Sequence, residues 1–258
     1  MTEASVASSF AAIFADLGEK PDPHKDSQNT LRHYSERFSK AVALWVRDLI
    51  VHDKRVDKVQ MPEARVPTCF GTKPLDVGCL DATGYLALDI SLKTFHFRDR
   101  KKNKYDKNLT GRFYELLGEG LELRLSYPEV VLVALVLLPF DGCDDSSRYA
   151  PSSFGKAAKQ FSKIAGRGSD GDHALSFEFV FIGLFEPDKP DSGLRFFDAS
   201  LSPPRSKRPE PVEMLSVNEV LDRIMTVVAS RKEARRPEDM RVKPVCDWSD
   251  AKPKSSKA

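Results

Sequence analysis

Hydrophobic and polar positions alternate most cleanly between Tyr85 and Phe95. In an extended chain Leu86, Leu88, Ile90 and Leu92 share one face, and Ala87, Asp89, Ser91 and Lys93 share the other. A shorter apolar run, Val77 to Leu80, comes before it, and the DATG between the two is a turn signal. The pattern predicts an antiparallel hairpin. With Ala82-Thr83 as its loop, Asp76 faces Asp89; with Thr83-Gly84, Asp76 faces Ser91. Either register puts Asp76 on the face of Asp89, Ser91 and Lys93, where opposed β-carbons lie roughly 4.5–5.5 Å apart.

Helical periodicity marks other stretches. Val6 to Leu17 is apolar-periodic and stops at Gly18. Leu31, Tyr34, Phe38, Ala41, Trp45 and Leu49 recur on one face of a second helix, with Glu36 on its polar side and outside any site. Arg65 to Phe70 reads as a short strand leading to the hairpin. A helix is predicted from about Thr110 to Leu125 and a buried strand from Val130 to Leu138. SFGKAAKQFSKIAG reads as a helix stopped by Gly166. SFEFVFIGLFEP and GLRFFDAS read as strands joined by a turn. Ser216 with Glu219 forms a capping box for a last helix whose buried face is Val217, Val220, Leu221, Ile224, Val227 and Val228. After Ser230 the chain turns charged and poor in apolar residues, the composition of a disordered or partner-dependent tail.

The order of helix, short strand, hairpin, helix and strand places the chain in the α/β (α+β) class, with a mixed central sheet containing an antiparallel hairpin and flanked by helices. One domain over residues 1–230 is expected: N-terminal helices over 1–52, a core over about 60–200 and a last helix over 215–230, with 231–258 as the tail.

Composition narrows the function classes. Hydrophobic residues make up 41% and charged residues 30% of 258, which suits a packed core. The net charge of +2 rules out a polycation, so any nucleic-acid affinity has to come from local clustering. No apolar run reaches the roughly 18–20 residues of a membrane span. The N-terminus lacks a basic start and does not read as a secretory signal. Cys69, Cys79, Cys143 and Cys246 are widely spaced, with neither a zinc pattern nor a disulfide framework. Reduced thiols in a cytoplasmic protein are the simplest account.

The hairpin carries the candidate chemistry. Asp76, Asp89, Ser91 and Lys93 bring two carboxylates, a hydroxyl and an ammonium to one sheet face, a donor set for a divalent metal with a positive charge beside it. The ordinary alternative is a solvated polar face. Between Lys93 and Arg112, itself a further cation, Arg98, Arg100, Lys101, Lys102, Lys104 and Lys107 are offset only by Asp99 and Asp106, and Phe95, Phe97 and Tyr105 interleave. Such a segment can follow a DNA backbone, or be a charged surface loop. His96 and His173 read as surface, packing or loop residues rather than as base or ligand.

PLD at Asp76 and Ser91-Leu92-Lys93, in this order of elements, resemble the PD-(D/E)xK nuclease superfamily, the fold of many type II restriction enzymes. The resemblance spans roughly residues 30–140. It implies a metal-dependent DNA endonuclease that acts on double-stranded DNA in restriction or defence, with Mg²⁺ or Mn²⁺ as cofactor. It gives Asp76 as central ligand, the backbone carbonyl near Leu92 as a further one, and Lys93 as the group that stabilises the transition state. The chain departs from the family at Ser91, where an acidic residue is expected. Asp89, or a glutamate of the next helix, would then supply the charge. Glu115, Glu119 and Glu122 form an i, i+4, i+7 stripe, with Glu119 nearest the apolar edge and Glu115 next. The expected metal ligands are therefore Asp76, Asp89 and Glu119. The alternatives are a catalytically degenerate DNA-binding module of the same fold, or a partner-binding subunit, as a homodimer or within a larger complex.

Overall fold

A computed structural model describes residues 2–148, 150–168, 175–186, 193–201 and 208–234. The elements are α1 (Glu3–Leu17), α2 (Gln28–Ile50), β1 (Lys58–Val59), β2 (Arg65–Thr68), β3 (Gly71–Pro74), β4 (Val77–Leu80), β5 (Leu86–Thr94), α3 (Leu109–Ser126), β6 (Val131–Pro139), α4 (Ser153–Phe161), β7 (Phe179–Phe185), β8 (Leu194–Asp198), β9 (Met214–Leu215) and α5 (Val217–Ala234). They build a mixed α/β fold on a seven-stranded sheet of order β1-β4-β5-β6-β7-β8-β9. The neighbours β4 and β5 are antiparallel, β5, β6 and β7 are mutually parallel, and β8 returns antiparallel.

Two helical layers cover the sheet. Helices α1, α2 and α5 pack on one face with Val77, Leu88, Ile90, Val133 and Leu135. Helices α3 and α4 pack on the other with Leu132, Ala134, Val136, Val180 and Ile182. All nine residues of β6 are buried, as a run of Val, Leu and Ala between two parallel neighbours requires. Helix ends are closed by local chemistry. The Ser27 hydroxyl accepts from the Thr30 amide at the start of α2, and Gly18 (φ 74°) ends α1 by donating to the Phe14 carbonyl. The Ser216 amide donates to the Glu219 carboxylate at 2.7 Å while the Glu219 amide donates to Ser216 Oγ, which is the expected capping box.

The hairpin turn differs from both two-residue loops. Asp81 pairs with Tyr85 around the three residues Ala82-Thr83-Gly84, with Gly84 at φ 86°. Asp81 Oδ1 accepts from the Thr83 and Tyr85 amides and holds the loop. A bulge between Cys79 and Leu80 then sets the register Val77↔Ile90, which places Asp76 across from Ser91. At the bulged end Leu86 packs with the α3–α4 layer, apart from Leu88, Ile90 and Leu92.

Other expectations need correction. Arg65–Thr68 does not lead into the main sheet; it pairs with β3 as a separate two-stranded sheet, and the strand beside the hairpin is Lys58–Val59. Helix α4 ends at Phe161, before Gly166. Helix α5 runs to Ala234, four residues beyond Ser230, because Arg231 is anchored on Glu178 and the Val130 carbonyl. The rest of the expected tail, 235–258, lies outside the described residues, as does His173. Among the described residues no helix is long and apolar enough to cross a membrane.

Candidate functional site: a buried polar face on the hairpin

The polar face of β5 is not solvated. Asp89, Ser91 and Lys93 are 2%, 4% and 7% exposed, because helix α3 lies over them. Lys93 Nζ lies 3.1 and 3.0 Å from the two carboxylate oxygens of Glu119 and 3.9 Å from Glu115. Ser91 Oγ donates to Asp89 Oδ2 at 3.1 Å and lies 3.3 Å from Glu119 Oε2. Asp76, one residue before β4, accepts the Leu92 amide at 2.7 Å and so reaches the same face. Glu122, the third member of the helix stripe, turns away to accept the Thr68 hydroxyl. The fold thus brings the expected Asp76, Asp89, Ser91, Lys93 and Glu119 together, with Glu115 at 3.9 Å from Lys93.

Burial shapes the electrostatics. Desolvation pushes the Asp89 carboxyl up to about 7, and the neighbouring Asp76 and Glu119 charges add to it. Burial also raises Asp76, against the pull of the Leu92 amide and the Lys93 ammonium. Gly78, paired with Asp89, carries no side chain because a β-carbon there would stand 2.4 Å from Leu75 Cδ1.

These groups line a pocket of about 250 Å³ together with Ser39, Glu63, Lys73 and Arg112. Lys73 lies 3.7 Å from Glu119, so that carboxylate sits between two ammoniums. Glu63 holds a left-handed backbone (φ 66°) pinned by its amide on the Leu75 carbonyl at 2.8 Å, next to Asp76. Neither residue is apparent in sequence. Lys73 reaches the site through the β2–β3 hairpin, and Glu63 through a backbone conformation that pattern does not report.

The pocket opens at Ser39, Glu63, Asp76, Thr94 and Arg112 into a groove of about 670 Å³. Arg32, Lys40, Arg98, Arg100, Lys107 and Arg112 line it, against Glu36, Glu63, Asp76 and Asp99. Glu36 therefore borders the groove, where it pairs with Arg32 at 3.0 Å. The loop after β5 is folded, and most of its cations are engaged. Arg98 binds Asp141 at 2.8 Å, Arg100 donates to the Asp26 carbonyl, Lys107 pairs with Asp99 at 3.5 Å and Arg112 with Glu115 at 2.7 Å. Lys104 is buried, its ammonium donating to the Pro151 carbonyl at 2.7 Å. Lys101 and Lys102 are exposed and give only their amides, to Asp99. His96, read as a surface or packing residue, is a packing one: it is 3% exposed, its ring centroid lies 3.9 Å from that of Phe38, and burial lowers its pKa to about 3.

Asp76 and Asp89 bring hard carboxylate oxygens, the kind of donor a divalent cation takes, to the pocket lining, while Glu119 is held by lysines. Among the described residues no three ligand-type side chains already converge on one point. Comparison with protein-family models, with curated proteins and with solved structures returns no match.

Proposed function

We propose that the chain is a metal-dependent DNA endonuclease on a PD-(D/E)xK-like core, acting on double-stranded DNA in the cytoplasm in restriction or defence. The observation that carries the reading is the enclosed polar face of β5, with Asp76, Asp89, Ser91 and Lys93 in one pocket that opens onto a groove richer in cations than in carboxylates. The order α2, β1, the β2–β3 pair, the β4–β5 hairpin, α3, β6 is compatible with it, with β1 in the place that the sequence gives to Arg65 to Phe70. The raised carboxyls of Asp76 and Asp89 support it as well, because crowded carboxylates in a buried pocket gain from a dication.

Asp76 and Asp89 would hold Mg²⁺ or Mn²⁺, and an ion there would supply an acidified water and neutralise charge on a phosphate oxygen. Lys93, fixed beneath α3, faces the charge that develops on the phosphoryl oxygens. Ser91 keeps a hydroxyl where the family carries a carboxylate, so Asp89, two residues earlier on the same face, supplies the negative charge. The groove cations position the backbone without reading sequence.

The second reading, a DNA-binding module without catalysis, is favoured by one observation. Ser91 is uncharged and engaged with Asp89 and Glu119. Incubating plasmid with the full chain in Mg²⁺, Mn²⁺ or EDTA separates the two. Cutting that EDTA and Asp76→Ala both abolish is expected, whereas DNA binding with no cutting in either metal transfers the conclusion to the binding module.

A further inference from the structure

Two ammoniums from two strands converge on one carboxylate, with the Ser91 hydroxyl, which donates to Asp89, beside them. Lys93 Nζ lies 3.1 and 3.0 Å from the Glu119 oxygens, Ser91 Oγ 3.3 Å and Lys73 Nζ 3.7 Å. The lysine side chains are 8% and 13% exposed, while that of Glu119 is 26% exposed and stands at the pocket wall. Two ammoniums and a hydroxyl around one anion are the donor set that recognises a phosphoryl oxygen. The carboxylate that fills it is the more exposed partner, on the helix side of the pocket, whereas the two lysines are largely buried on β3 and β5. Arg112, at the mouth that joins pocket to groove, is itself paired with Glu115.

We infer that Lys73, Lys93 and Ser91 form a phosphate site, and that Glu119 occupies it as an internal anion that a phosphate must displace. The ligand class is a phosphate group, either in a nucleic-acid backbone or free. Its being a phosphodiester of DNA rests on the function proposed above. Competition with Glu119 lowers the apparent affinity by the fraction of time the carboxylate stays in place. Lys73 is then a binding residue for the substrate, and Glu119 a gate.

Titration calorimetry on the full chain in metal-free buffer tests this, with inorganic phosphate and, separately, a short DNA duplex as probes. Glu119→Gln is expected to bind at least one probe about tenfold tighter than wild type, and Glu119→Gln with Lys73→Ala is expected to lose that gain. Asp76 and Asp89 are present in every protein compared, so their repulsion cancels in the ratio. A gain for the duplex alone assigns the site to backbone phosphate, and a gain for inorganic phosphate assigns it to free phosphate as well. Thermal melting guards against a loosened variant, since the probe that binds should raise the Tm of Glu119→Gln more than that of wild type. Equal affinities and equal Tm shifts overturn the inference, as does a gain that survives loss of Lys73. Plasmid cutting by wild type without any gain in Glu119→Gln removes the gate and leaves the nuclease; a gain without cutting does the reverse.

Discussion

Helix α3 ties itself to the sheet through two buried charge clusters, and they are built for opposite ends. In its last turn Arg124 donates to both oxygens of Glu178 at 3.0 and 3.1 Å, and also to the Pro128 and Val130 carbonyls. Arg231 of α5 and Arg167 join the same carboxylate, which accepts the Leu132 amide as well. Glu178 is 4% exposed, and the cluster locks α3, α5, β6 and β7 together. Less than two turns earlier, Glu119 meets Lys93 and Lys73. There the carboxylates outnumber what the cations neutralise, two of them are raised by burial, and the space beside them opens to a groove. An enclosed cluster that cross-links several elements serves stability, even though three guanidiniums share its one carboxylate and Arg124 Nε has no partner among the described residues. A frustrated one that opens to solvent is where binding free energy can be gained.

The comparison breaks most directly at Glu178. Glu178→Ala leaves buried guanidiniums without their carboxylate, and a loss of about 3–5 kcal/mol in urea unfolding is expected. Asp76→Asn keeps an acceptor for the Leu92 amide and removes a charge that burial disfavours, so its stability should stay close to wild type. Its cutting rate should fall on the order of 100–1,000-fold. Should Asp76→Asn unfold the chain while Glu178→Ala leaves it intact, the two clusters have exchanged roles.

Asp89 sharpens the contrast through pH. Its folded pKa of about 7 lies above the ordinary 3.8, so between those values the native chain holds a proton that the unfolded chain releases. The stability this contributes is complete below the ordinary value and is lost as pH rises through about 7. Asp89→Asn cannot titrate there. The stability of that variant relative to wild type should therefore climb across the window and level off above it, as read by urea unfolding at a series of pH values. Under the metal reading, Mg²⁺ shifts the window to lower pH, because a dication favours the ionised carboxylate. A flat difference across the window would show that Asp89 titrates alike in both states.

Much of this was legible in sequence. The alternation over Leu88 to Lys93 identified which side chains share a face, though the bulge turns Leu86 to the other layer, and the glutamate stripe singled out Glu119. What period cannot report is the cover on a face. The same alternation describes a solvated strand, and only the packing of α3 decides that Asp89, Ser91 and Lys93 are enclosed. Lys73 was hidden because Arg65 to Phe70 reads as one short strand leading to the hairpin and not as half of the β2–β3 pair whose second strand carries Lys73. The loop shows the limit most plainly. Its cations are evident from composition, but their partners, Asp26, Asp141 and Pro151, are distant in sequence. Which charges remain for a ligand therefore depends on tertiary contacts.

That distinction gives the smallest and most specific prediction. Lys101 and Lys102 are exposed, and their side chains carry the loop's charge outward, whereas the Lys104 ammonium is committed to the Pro151 carbonyl. Each lysine that contacts a duplex phosphate adds about 0.9 to the magnitude of the slope of log affinity against log salt. Replacing Lys101 and Lys102 with Glu should flatten that slope by about 2, at unchanged stability. Lys104→Met keeps the length of the side chain and removes its charge, so it should cost stability by loosening the loop from the start of α4, and leave the slope of the folded fraction as in wild type. Fluorescence anisotropy on a labelled duplex across a salt series reads both. An unaltered slope in the double variant would take the loop off the DNA path and leave the groove cations Arg32, Lys40 and Arg112 as the contacts. A slope change in Lys104→Met equal to that of the double variant would mean that the loop binds as a folded unit, with its anchoring as important as its charge.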